Sequence, residues 1–132
     1  MSSKDTIVGV WFVKVIGAPF EYHVFTFNSD GTFIQSNPDA GDPDTSDSMG
    51  MGLWKVYGGK ITAKFVETTA DRKTHTFVAR GEISLDVTLD KDTITGFASA
   101  TFFDESNKKI KGPTHEELKG VRISLDKDTP SL

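Results

Sequence analysis

The sequence predicts an all-β fold, an antiparallel up-and-down β-barrel of about eight strands, on three observations. Segments rich in β-branched and aromatic residues recur along the whole chain, helical periodicity is missing, and the joints between segments are mostly short polar turns. Short sequential connections make neighbours in sequence neighbours in the sheet. About eight strands is also the number at which a barrel closes over one small ligand. A β-sandwich is the competing arrangement.

The elements follow in order. Val8 to Ile16 reads as the first strand, stopped by Gly17-Ala18-Pro19. Glu21 to Asn28 alternates, with His23, Phe25 and Phe27 on one side and Tyr22, Val24 and Thr26 on the other. Ser29-Asp30-Gly31 is a tight-turn signal, and Thr32 to Ser36 returns as the partner strand. Residues 37–49 hold two prolines, four aspartates and almost no apolar side chain, which predicts the longest loop of the chain and a candidate lid or portal. Gly50 to Val56 resumes as strand, and Tyr57-Gly58-Gly59 turns it into Lys60 to Thr69. After a polar turn, His75 to Leu89 carries the cleanest alternation, with Phe77, Ala79, Gly81, Ile83, Leu85, Val87 and Leu89 on one face. Gly81 in its middle predicts a bend or bulge. Thr93 to Phe103 follows, then a stretch at 112–118 with room for one helical turn. Lys119 to Leu125 reads as the last strand, before a frayed tail.

A chain of 132 residues with 36% hydrophobic and 26% charged residues is one globular domain over 1–132, with an ordered core expected at about 6–125. The net charge of -4 and the scattered Lys and Arg argue against a nucleic-acid partner. No apolar run is long enough to cross a bilayer as a helix, so no membrane partner is expected. Cysteine is absent, which removes disulfides, thiolate chemistry and Cys-containing metal sites. Met1 to Asp5 lacks the apolar region of a signal peptide, and a cytoplasmic location is the default expectation. A monomer or weak homodimer is expected.

Gly9-Val10-Trp11 on the first strand and Arg122 on the last resemble the Gly-x-Trp motif and the late Arg of lipocalins and their calycin relatives. The resemblance implies a lipocalin-like barrel in which Gly9, Trp11 and Arg122 are structural and the guanidinium covers the indole face at the barrel floor. An Arg suits that role because it stacks on an aromatic face while its donors reach backbone carbonyls. Without a disulfide or a clear helix before the last strand, the chain is more similar to the compact intracellular branch, or to a bacterial relative, than to secreted lipocalins. Residues 17–22 leave no room for the helix pair of fatty-acid-binding proteins. The heme-binding nitrobindin relatives share the Gly-x-Trp start, but Phe12-Val13-Lys14 lacks their further glycines and His115 lies in a Gly-Pro turn. No cofactor is therefore expected.

Candidate pocket residues are the aromatics and the flexible side chains beside the long loop: Phe25, Phe27, Phe33, Met49, Met51, Trp54, Phe65, Phe77 and Phe102. Most of the aromatics are equally expected as plain core. Gly96, Ala98 and Ala100 share one face, which leaves room for a ligand if it points inward. His23 and Glu67 are the candidate catalytic acid or base, and His23 is the more suggestive because it shares a face with Phe25 and Phe27. Arg80 and Glu82 fall on the wet face. The aspartates Asp39, Asp42, Asp44 and Asp47 lack the spacing of a calcium loop, so no metal site is expected.

Two functions follow. The first is a binding module that holds a small apolar or amphipathic molecule in the barrel. The second is a cofactor-independent cyclase or isomerase that uses the same cavity to fold a reactive chain, as small barrels resembling this one do in biosynthetic pathways. Loss of His23 or Glu67 separates them: turnover disappears with binding spared in the enzyme, whereas affinity alone falls in the carrier.

Overall fold

The computed structural model describes residues 7–39 and 42–132. The expectations placed on Met1 to Thr6, and on Ala40 and Gly41 of the acidic loop, lie outside the described residues. One antiparallel sheet contains all ten strands: β1 (Gly9–Val15), β2 (Tyr22–Phe27), β3 (Thr32–Ser36), β4 (Thr45–Asp47), β5 (Gly50–Tyr57), β6 (Lys60–Asp71), β7 (Phe77–Asp90), β8 (Thr93–Phe103), β9 (Lys109–Lys111) and β10 (Glu116–Arg122). The sheet closes because β10 pairs with β1 along one side and with β8 along the other. Eight strands make the wall, while β4 lies against β6 and β9 against β8. The predicted all-β, eight-stranded antiparallel barrel is the observed fold, and no helix among the described residues is long and apolar enough to cross a membrane.

Period-two alternation decides which side chains enter the barrel. Trp11, Val13 and Val15 point in from β1, Phe25 and Phe27 from β2, and Ile61, Ala63 and Phe65 from β6. On β7, Ala79, Ile83, Leu85 and Val87 point in, while Arg80 and Glu82 pair with each other on the outside at 2.9 Å. Hairpin turns need backbone that most residues avoid. Gly31 takes a φ of 91° between β2 and β3, and its carbonyl accepts a hydrogen bond from the Trp54 amide.

The two ends of the barrel differ. At the end formed by the start of β1 and the end of β10, the interior is filled. Phe27 packs edge-on against Phe33 and Trp54, with ring centres 4.9 and 5.8 Å apart, and the Trp54 indole donates to the Asn28 carbonyl at 2.8 Å. Trp11 closes this floor. Its indole donates to the Ile7 carbonyl at 3.0 Å, and the Arg122 guanidinium lies over the ring at 4.4 Å while donating to the Val8 carbonyl at 2.9 Å. Each such fully buried large side chain contributes about 1.5–3 kcal/mol from removal of apolar surface from water.

Three local expectations are corrected. No helical turn forms at 112–118: the Thr114 amide donates to the Ala100 carbonyl, and Glu116 already belongs to β10, so the last strand runs three residues earlier than predicted. Gly81 carries no bulge, since its pairing with Glu67 and Phe102 is in register. The register shifts lie at Thr69/Ala70 and Phe102/Phe103. The 37–49 segment is not all loop, because Thr45–Asp47 pairs with Asp71–Thr69 and folds the acidic segment back onto β6.

Candidate ligand cavity

The barrel end opposite Trp11 is hollow. A cavity of about 420 Å³ lies between the β1–β2 turn, the acidic segment and the β9–β10 connection. Its apolar wall is made by Val15, Phe25, Phe65, Ile83, Leu85 and Phe102. Space remains because Ala98 and Ala100, on the inward face of β8, stop at a methyl group. Gly96, two residues earlier, is not part of the wall: a Cβ there would lie 1.9 Å from the Asp86 carbonyl oxygen, so the glycine serves a close approach of β7 and β8.

Of the sequence-predicted pocket residues, Phe25, Phe65 and Phe102 meet at this cavity with His23 and Glu67. Phe27, Phe33 and Trp54 are buried in the filled half. Met49, Met51 and Phe77 are placed elsewhere, with 55%, 65% and 42% of their surface exposed. The phase of β5 explains the methionines: Trp54 points inward, so Gly50 and Gly52 do too, and Met51 points out. Phe77 keeps the inward phase but pairs with Ala70 beyond the register shift, where the wall has ended. His75 and His115 are exposed, and His115 stacks on the equally exposed Phe97 at 4.8 Å. Among the described residues no cluster of acidic or histidine side chains could hold a metal ion.

The polar groups of the cavity form two sets. His23 Nδ1 receives a hydrogen bond from the Gln35 side-chain amide at 2.8 Å, and the same amide nitrogen donates to Asn37 Oδ1 at 2.6 Å. Gln35 is fully buried, which fixes this chain of contacts. With Nδ1 accepting, the neutral imidazole carries its proton on Nε2, and that buried atom has no hydrogen-bond partner among the described residues. Burial pushes the His23 pKa down, against a smaller opposing pull from the Phe20 carbonyl, so the ring is neutral at pH 7.

Glu67 faces the cavity from β6, following Ile61, Ala63 and Phe65 in phase. It makes no hydrogen bond or ion pair among the described residues. Burial, reinforced by the nearby charge of Asp47, pushes its pKa up to about 7. The other acids at the cavity are satisfied. Asp47 accepts from the Thr69 hydroxyl at 2.6 Å, Glu116 from the Thr114 hydroxyl at 2.9 Å, and Asp39 pairs with Arg72 at 2.6 Å. Sequence reading missed Gln35 and Glu116. Gln35 follows Phe33 in phase and Glu116 precedes Leu118 in phase, so alternation carried the signal for both.

A raised carboxyl pKa has a consequence for stability. The folded protein holds a proton on Glu67 up to about pH 7, whereas the unfolded chain releases it near the ordinary value of 4.5. Between those values the native state binds more protons, so this group's contribution is present at low pH and is lost as pH rises through about 7. His23 acts in the opposite sense, losing stability as pH falls below its ordinary value. Urea unfolding of wild type and Glu67→Gln from about pH 5 to about pH 8 isolates the carboxyl. The variant is expected to gain on wild type as pH rises, and a constant difference would show that Glu67 titrates normally.

The fold and cavity together define a closed eight-stranded antiparallel β-barrel with one hollow end. The chain matches no family model, no curated protein and no solved structure.

Proposed function

We propose that this protein binds a small apolar or amphipathic molecule in the open half of its barrel, as a lipocalin-like member of the calycin group. The observation that carries the reading is the 420 Å³ cavity, apolar along most of its wall and left empty by alanines where larger side chains would fill a core. The stacking of Arg122 on Trp11 supports the calycin relation, since it is the contact that the Gly-x-Trp and late-Arg resemblance implies. Affinity would come from apolar burial at roughly 25 cal/mol per Å², with Glu67 and His23 fixing orientation.

The test is a neutral apolar fluorophore such as Nile red. Wild type is expected to brighten it in a saturable way, and Ala98→Phe, which fills the cavity from β8, to abolish the response while remaining folded by circular dichroism. A variant that binds the dye as well as wild type would place the dye elsewhere and remove the support for this reading.

The runner-up reading, a cofactor-independent cyclase or isomerase, is favoured by one observation. Glu67 is an unpartnered carboxyl whose pKa of about 7 lets it both donate and accept a proton at neutral pH.

A further inference from the structure

Resting on the binding reading above, the cavity's unmet polar demand narrows the class of ligand. Among the described residues the wall carries four carboxyl groups, from Asp39, Asp47, Glu67 and Glu116, against one ammonium, that of Lys111 on β9. Arg72 neutralises Asp39 from its far side, and Lys111 rests over the Phe102 ring at 5.9 Å. His23, facing from β2, is neutral. The cavity therefore presents excess negative potential to anything that enters. Of these carboxyl groups Glu67 alone has no hydrogen-bond partner among the described residues, and it lies near Asp47, whose charge a guest at that position would also relieve.

An alkyl carboxylate would meet this field with a like charge, and Lys111 at the rim is the one cation among the described wall residues to receive it. An alcohol would satisfy one lone pair of Glu67 and leave the repulsion from Asp47 in place. An ammonium group brings three donors and a positive charge to two acids at once, the half-buried Glu67 and the exposed Asp47 near it. We infer that the ligand is an apolar amine, its ammonium head on Glu67 and its hydrocarbon body against Phe25, Phe65 and Leu85.

Competition against bound Nile red tests this with three probes of matched chain: decylamine, decanol and decanoate. At about pH 8, decylamine is expected to compete about tenfold better than decanol, and decanoate worst, as for a hydrogen bond to a charged partner. Glu67→Gln should abolish the amine's advantage over decanol. On wild type alone, the amine's affinity should rise between about pH 6 and about pH 8 as Glu67 ionises, while that of decanol stays level. This series decides the matter even if the variant fails to fold.

Parity of decanol with decylamine, preference for decanoate, or an amine advantage that survives Glu67→Gln would each overturn the amine assignment and leave the cavity-binding reading standing. Failure of Nile red itself to bind would instead remove the binding reading, and the amine with it.

Discussion

Replacing Trp11 with alanine is expected to destabilise the protein by about 3–5 kcal/mol, the range for removing a large buried aromatic side chain. That is a large share of the roughly 5–15 kcal/mol by which such a domain is stable. Trp11 is wholly buried at the filled end, and its loss removes the Ile7 hydrogen bond and leaves the Arg122 guanidinium over a void. Arg122→Ala should cost less, about 1–3 kcal/mol, because the indole stays packed while the contacts to Val8 and Asp92 are lost. Urea unfolding of the two single variants and the double variant measures their coupling. Additive losses would mean that the stacked pair stabilises nothing beyond its separate parts.

Gly96→Ala should be nearly as damaging, on the order of 3 kcal/mol, although it adds a single methyl group. The new Cβ would lie 1.9 Å from the Asp86 carbonyl oxygen and 2.8 Å from the Val87 Cα, so the backbone itself must part. A flexible side chain could swing aside, whereas a strand paired along its whole length cannot. Gly17→Ala is a useful contrast, since nothing lies within 4 Å of its added Cβ and only the positive φ opposes it. Equal thermal midpoints for wild type and Gly96→Ala would show that β7 and β8 are free to separate.

The barrel was legible because its main signal is local. A strand with one dry face writes that face into every second residue, and Ile61-x-Ala63-x-Phe65-x-Glu67 needs no knowledge of the partner strand to be read. The same rule brought His23 and Glu67 to the cavity, and followed backward from Trp54 it would have turned Met51 outward. Composition drew the methionines into the pocket where phase excluded them. What alternation does not carry is where a wall ends. Phe77 has the inward phase of β7 but stands past the shift at Thr69/Ala70. The short strands β4 and β9 were illegible for a related reason: three residues pair there because a longer neighbour offers them an edge, and three residues hold no period. Glu116 was hidden by Gly112-Pro113, which reads as a stop although the strand begins three residues later.

The pairing of β1 with β10 also orders events in time. Trp11 sits opposite Arg122, so the last seam of the wall joins residues separated by nearly the whole chain. A growing polypeptide would have β1 through β8 available while their inward faces still lack a closing strand, with Phe25, Phe65 and Leu85 open to water. Folding that waits on such distant partners belongs to the slow, millisecond-to-second class. Until β10 emerges there is no enclosed space to occupy, so during synthesis a ligand can stabilise the chain only once β10 has been made.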